Sequence, residues 1–369
     1  MLPNVWPKRL ANRAFEGGRR VSKVIVLSTG GTIATRRDVQ GVGLAKDGAG
    51  ELLGRLPVEP GVEVDGVDVL CAGSYLFTPA DMREVVLAVR AALADPGVLG
   101  VVVTHGTDAM EETAYLADLF HDDPRPVVFT GAQRPADAVD GDGPRNLADA
   151  ITVAASGAAR GLGALICFDG RVYAARGTRK THTLAPAAFS APDGGPLGRV
   201  RAGEVDITLT PSRPEPLDLG AYDLDGVRAD IVALYPGCDA GALRAAADAG
   251  ATGIVLEALG AGNANPAVAA EVARLTGAGV VVALSTRVDA GPVAALYGNG
   301  GGADLVAAGA IPTGILRAPQ ARVLLGALLG CHRDPARVRE GLAARTGGVT
   351  ATGRTRPADP TEGSTERTK

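Results

Sequence analysis

Short runs of consecutive apolar residues recur along this chain and separate stretches of a different rhythm. "KVIVLSTGGTIATR" (23–36) holds the first, and "GVVVT" (100–104), "PVVFTG" (126–131) and "GALICF" (163–168) follow. A strand that is apolar at every position has no face to give to water, so both faces must be covered. Between these runs lie "TPADMREVVLAVRAAL" (78–93), "DAMEETAYLADLF" (108–120) and "DGPRNLADAITVAA" (142–155), which carry helical spacing. Strand and helix in alternation predict an α/β fold, a mostly parallel sheet clad by helices on both sides. The sequence predicts strands over Val21–Ser28 and Gly66–Ala72 as well. Thr78 is a helix start with Pro79 at the first helical position and Asp81 three residues after the cap. Glu111 and Glu112 sit where a helix dipole favours negative charge.

The chain's 369 residues exceed one typical core. The alternation breaks at 211–228, "PSRPEPLDLGAYDLDGVR", which is Pro-rich, charged and without period, as a linker would be. Beyond it "DIVALY", "GIVLEAL" and "GVVVALS" predict three more strands, and "PQARVLLGALL" and "DPARVREGLAAR" two closing helices. The expected organisation is therefore a loose N-terminal arm (1–20), a larger α/β domain (21–210), the linker (211–228), a smaller C-terminal α/β domain (229–346) and a polar, disordered tail (347–369).

Composition narrows the function classes. Lys and Arg number 37 against 41 Asp and Glu, a net charge of −4 that carries no basic footprint for nucleic acid. No apolar run reaches the ~18 residues of a membrane span. No apolar h-region precedes a small-residue cleavage site, which leads to the expectation of a cytoplasmic protein. Cys71, Cys167, Cys238 and Cys331 are scattered without a CxxC pair and read as buried free thiols. The four histidines lack ligand spacing, so no structural metal site is expected.

The chemistry lies where the apolar runs stop. Thr29-Gly30-Gly31-Thr32 lacks the lysine of a phosphate loop and the spacing of a dinucleotide fingerprint. Paired glycines at the carboxyl end of a strand permit close backbone approach at the edge where open α/β sheets bind ligands. Thr32 is then either an exposed hydroxyl or a turn-stabilising one. "VVVTHGTDAMEET" repeats the arrangement with Thr107 and Asp108, the latter suited to capping a helix or to holding an ammonium group. Gly131-Ala132 in "VVFTGAQRP" is either a plain turn or a pair of N–H groups for an oxyanion. Lys180 in "RGTRKTHT" lies on no clear helix face; desolvated beside Asp and Thr, it would serve as a base.

These stretches together resemble the bacterial L-asparaginase/glutaminase family. "TGGTIA" (29–34) and "THGTDAMEETAYLADL" (104–119) match its two signatures, and "TGAQRPADAVDGDGPRNLADAI" (130–151), "GPLGRV" (195–200) and "PQARVLLGALL" (319–329) extend the likeness over about 22–345. The resemblance implies cofactor-free hydrolysis of a side-chain amide, asparagine or glutamine, to the acid and ammonia. It implies that Thr32 is the nucleophile, Thr107 the second active threonine, Lys180 its partner and Asp108 the holder of the substrate ammonium. Ser74 would bind the substrate carboxylate, Ala132 would present its backbone to the amide, and Asn265 would reach the site from a neighbouring subunit of a homotetramer. Two features depart from the family pattern: the loop after "TGGTIA" has no tyrosine, and residues 287–305 have no glutamate. Tyr75 follows Ser74 where a polar amide is common, and it and Tyr297 are the phenols available as stand-ins. The competing readings are a non-catalytic amino-acid sensor on the same fold, the amidohydrolase subunit of a tRNA-dependent amidotransferase, and a nucleotide-binding protein. The first predicts loss of Thr32, Thr107 or Lys180, the second an extra N-terminal domain, the third a phosphate motif; none of these is seen.

Overall fold

A computed structural model describes residues 22–37, 43–57 and 61–347 of the chain. In the N-terminal part the strands are Lys23–Gly30 (β1), Thr35–Arg37 (β2), Gly43–Ala45 (β3), Glu63–Ala72 (β4), Val98–Thr104 (β5), Val127–Thr130 (β6), Ala164–Phe168 (β7), Arg171–Ala174 (β8), Arg179–Lys180 (β9), Phe189–Ser190 (β10), Gly198–Arg201 (β11) and Glu204–Ile207 (β12). The helices are Ala49–Leu53 (α1), Pro79–Leu93 (α2), Met110–Phe120 (α3) and Gly143–Ala155 (α4). The C-terminal part adds Ala229–Ala233 (β13), Gly253–Ala258 (β14), Val281–Thr286 (β15) and Ile311–Pro312 (β16), with helices Gly241–Asp248 (α5), Pro266–Gly277 (α6), Gly302–Ala307 (α7), Ala318–Cys331 (α8) and Pro335–Thr346 (α9). The arm expected at 1–20 lies outside the described residues. So does the tail expected at 347–369, apart from Gly347, the left-handed residue that ends α9.

The large sheet has eight strands in the order β12-β11-β8-β7-β6-β5-β1-β4. β4, β1, β5, β6 and β7 run parallel, and β8, β11 and β12 extend the far side antiparallel. Along β1 the side chains divide evenly. Ile25 and Leu27 enter the core shared with α2 and α3, while Val24 and Val26 enter the core under α4. This two-sided burial is what the uninterrupted apolar runs require. α2 begins as its sequence predicts: Thr78 is the cap, its hydroxyl accepts from the Asp81 N–H at 3.3 Å, and the Asp81 carboxylate accepts from the Thr78 N–H at 2.7 Å.

From β1 the chain moves to β4 on one side, then returns across β1 to β5, β6 and β7 on the other. The order of winding therefore reverses between β1 and β5. In doubly wound sheets a crevice opens at such a reversal, beyond the carboxyl ends of the strands.

The smaller sheet is parallel, β13-β14-β15-β16, and its fourth strand is a two-residue pairing too short to show in the sequence pattern. The segment 211–228 is packed rather than slack. Arg213 donates to the Asp118 carboxylate at 3.0 Å and to the His121 carbonyl at 3.0 Å, and Leu217, Leu219 and Tyr222 are buried in the core. That core also takes in α8 and α9, so one apolar cluster runs from the large sheet into the small one. The four cysteines are free, with Cys167 fully buried; Cys71, against expectation, is exposed at the end of β4. Among the described residues no helix is long and apolar enough to cross a membrane.

Gly31 has φ +79°, and a Cβ built on it would lie 2.4 Å from the Cα of Gly106. A left-handed backbone disfavours any L side chain by roughly 1–2 kcal/mol, and overpacking adds roughly 1–3. Gly31→Ala is therefore expected to lower the unfolding free energy by about 2–5 kcal/mol in urea titration. An unchanged midpoint would show that the two strand ends are not in contact.

Candidate active site

Thr32 opens a one-turn 3-10 helix, Thr32–Ala34, directly beyond β1. The framework bonds of this turn are made by its neighbours. Thr29 Oγ1 donates to the Thr104 carbonyl at 2.8 Å, and Thr35 Oγ1 donates to the Gly31 carbonyl at 2.8 Å. The Gly31 N–H donates to the Ala72 carbonyl at 3.0 Å. The half-buried hydroxyl of Thr32 bonds to none of the described residues. The turn-stabilising role open to both threonines is thus filled by Thr29 and left vacant by Thr32.

Beyond β5 the chain reaches Gly106, Thr107 and Asp108 before α3 begins. Asp108 does not cap that helix: the cap position is Ala109, whose N–H donates to Ser74 Oγ at 3.2 Å. A Cβ on Gly106 would come within 2.6 Å of the same Ser74 oxygen, so the end of β4 lies against the end of β5. The Asp108 carboxylate is left to meet Lys180, whose Nζ stands 2.9 Å from Asp108 Oδ1 and 2.9 Å from Thr107 Oγ1. Thr107 is buried and the Lys180 side chain nearly so, while half of the Asp108 side chain faces solvent. Residues 73 positions apart thus form a hydroxyl–ammonium–carboxylate cluster at the reversal point of the sheet.

Gln133 completes the cluster, and sequence reasoning did not single it out. Its Nε2 donates to the carbonyls of Thr183 and Ala185 at 3.1 and 3.2 Å. Two carbonyls on one end fix the amide's orientation, because only the NH₂ group can donate to them. Oε1 must then face Thr107, and the Thr107 hydroxyl donates to it at 3.1 Å. A lysine ammonium only donates. Thr107 therefore gives its proton to Gln133 and accepts from Lys180. A glutamine in a turn leaves no periodic trace, which is why the sequence alone passes over it.

Ala132 is buried beside this group, and neither of its backbone polar groups bonds to a described residue. Asn265 is not brought to the cluster within one chain. Its side chain caps α6 through the Val268 N–H at 3.1 Å and donates to the Cys238 carbonyl at 2.9 Å. Tyr75 and Tyr297 are both largely exposed, and neither phenol bonds to Thr32. Under the cluster His105 is fully buried between Phe77 and Phe129, with Nδ1 2.7 Å from the Gly106 carbonyl. Burial pulls its pKa down to about 4, so the ring is neutral at physiological pH.

Glu111, in the first turn of α3, is also buried, and its Oε2 accepts the backbone N–H of Lys180 at 2.5 Å. Burial pushes its pKa up to about 7 from 4.5, against the opposing pull of that hydrogen bond. Between those two values the unfolded chain has released a proton that the folded chain keeps, so stability falls as pH rises. Glu111→Gln removes the titration. Relative to the native protein, the variant is expected to gain up to ~3 kcal/mol of unfolding free energy between pH 4.5 and 7.5. Parallel stability curves for the two proteins would show that this carboxyl does not titrate in that window.

Known proteins resemble this chain over most of its length. Residues 23–213 match the family described as Asparaginase, N-terminal, and residues 228–342 match the Glutaminase/Asparaginase C-terminal domain. The Probable L-asparaginase of Deinococcus radiodurans is 38% identical over 323 residues, 85% of this chain and 96% of that protein. The L-asparaginase 2 of Escherichia coli is 32% identical, with 86% and 91% covered. Among solved structures, the crystal structure of a probable cytoplasmic L-asparaginase from Campylobacter jejuni superposes with a TM-score of 0.76 at 30% identity, covering 87% of this chain and 99% of that one. With both domains matched and relatives spanned almost end to end, the chain belongs to the L-asparaginase/glutaminase family.

Proposed function

We propose that this chain hydrolyses the side-chain amide of L-asparagine to aspartate and ammonia through an acyl-enzyme on Thr32. The observation that carries the reading is the Lys180 ammonium, shared at 2.9 Å by Thr107 and Asp108, together with a Thr32 hydroxyl that bonds to none of the described residues. Thr107 has its proton on Gln133 and a lone pair on Lys180, so of the two hydroxyls Thr32 is the one free to attack.

The Thr32 oxygen bonds to the amide carbon, and the carbonyl becomes an oxyanion. Collapse breaks the C–N bond, and the nitrogen leaves as ammonia, carrying the proton given up by Thr32. Water then adds to the ester, which releases the acid and restores the Thr32 hydroxyl. Lys180, paired with Asp108 and joined to Thr107, is the group through which protons move in both halves. The exposed half of the Asp108 carboxylate holds the substrate ammonium. Ser74 Oγ accepts from Ala109 and so keeps its own proton for the substrate carboxylate. The unbonded backbone of Ala132 faces the amide.

The proposal extends to a homotetramer in which Asn265 of a neighbouring copy completes each site. Large apolar side chains stand exposed on both domains, Tyr75, Leu76 and Leu184 on one and Tyr235, Leu296 and Tyr297 on the other, which supports burial against further copies. A cytoplasmic location fits the four free thiols and the name of the Campylobacter protein.

Purified protein is expected to release ammonia from L-asparagine, and parallel assays with L-glutamine separate the asparaginase from a mixed glutaminase–asparaginase. Binding of either amide without ammonia would instead identify a sensor. Thr32→Ala is expected to abolish turnover, and Lys180→Met to lower kcat by roughly 10²–10⁴-fold. Near-native kcat in the lysine variant would remove Lys180 from the proton path.

A further inference from the structure

The geometry points to Glu111 and Gln320 as positioning residues that hold Lys180 against Thr107 and Asp108 from two directions. Lys180 sits on β9, a two-residue strand paired only with the equally short β10. So brief a pairing cannot fix a side chain to within hydrogen-bonding tolerance. The bonds on either side of it supply that constraint.

Glu111 lies on the same helix approach as Thr107 and Asp108, and its carboxylate accepts the Lys180 N–H at 2.5 Å. One side chain thereby ties the backbone of the lysine to the segment that carries both of its partners. Gln320 comes from α8 in the C-terminal domain and is buried. Its Nε2 donates to the carbonyls of Ala175, Thr178 and Glu111 at 2.8, 3.0 and 3.1 Å, and its Oε1 accepts the Gly177 N–H at 2.8 Å. These bonds grip the whole approach to Lys180, residues 175–178, and fasten it to the first turn of α3. Outside them, Arg322 of α8 pairs with Glu112 at 2.8 Å, and Arg179 pairs with Asp289 at 3.2 Å.

A buried carboxylate is costly to place inside a protein, and a buried amide is tolerated only when its hydrogen bonds are made, as those of Gln320 are. Here the carboxylate bonds to the lysine's own backbone and the amide to the segment that leads into it. Apolar residues would fill the same space without that cost, but would leave the lysine's approach unfixed.

The inference rests on the proposed role of Lys180, and the experiment separates the two. Full-length Glu111→Leu and Gln320→Leu are assayed for ammonia release from L-asparagine at 25 °C alongside Lys180→Met. A misplacement of ~1 Å costs on the order of 10²-fold, so each leucine variant is expected to lose ~10–100-fold in kcat with KM within ~3-fold of native. Glu111→Gln keeps an oxygen for the Lys180 N–H and is expected to recover most of what Glu111→Leu loses. A purely structural role would lower the melting temperature and leave kcat per folded molecule, and the Leu-to-Gln recovery, unmoved; that result overturns the inference. An inactive Lys180→Met with native kcat in both leucine variants overturns the positioning alone. A fully active Lys180→Met overturns the role of the lysine itself. Should the leucine variants not fold, hydrogen exchange of the Lys180 amide in the unaltered protein decides: strong protection supports the bond to Glu111, and free exchange removes it.

Discussion

Backbone meets backbone where β1 and β5 end, and the candidate site depends on that contact. Gly31 rests on Gly106, and Gly106 on Ser74, at separations that leave no room for a Cβ. Three segments from β1, β4 and β5 are thereby drawn closer than any side chain would permit. Thr32, Ser74, Thr107 and Asp108 are the residues next to those contacts. The winding order puts β1 and β5 side by side at the sheet's reversal, where no crossover helix closes the crevice.

Lys180 reaches the cluster by a different route. It arrives on the antiparallel excursion beyond β7, a region with little regular structure of its own, and is held there by α3 and α8. Because α8 packs on α3 on one side and on β14 on the other, the C-terminal domain shares a core with the large sheet. The smaller domain thus acts on the site within a single chain through Gln320. The proposed contribution of Asn265 to a neighbouring copy is a separate role of the same domain.

The two threonines are alike in sequence setting and unlike in bonding. Thr107 is enclosed by one donor and one acceptor, whereas the Thr32 hydroxyl has neither among the described residues. Gln133 creates this difference, since the two carbonyls behind it turn its oxygen toward Thr107. The departures from the family pattern lie on the Thr32 side, where neither Tyr75 nor Tyr297 takes up the missing phenol's place in this chain. In the proposed reaction, activation of Thr32 is therefore assigned to the lysine cluster.

Elements whose physics is local were legible in the sequence. The strands β1, β5, β6 and β7 follow from unbroken apolar runs, and the start of α2 from the Thr78–Asp81 capping pair. The antiparallel strands β8, β11 and β12 were not, because short antiparallel pairings owe their existence to a neighbour rather than to their own pattern. Glu111 looked like a dipole complement at a helix start and proved to be a buried acceptor for Lys180. Asp108 suited a cap and was displaced from it by Ser74. The sequence by itself determined which residues could do chemistry and that strand ends would present them. The tertiary structure alone decided that Thr107, Asp108, Gln133 and Lys180 share hydrogen bonds, because those bonds join loops tens of residues apart and depend on packing that no local pattern encodes.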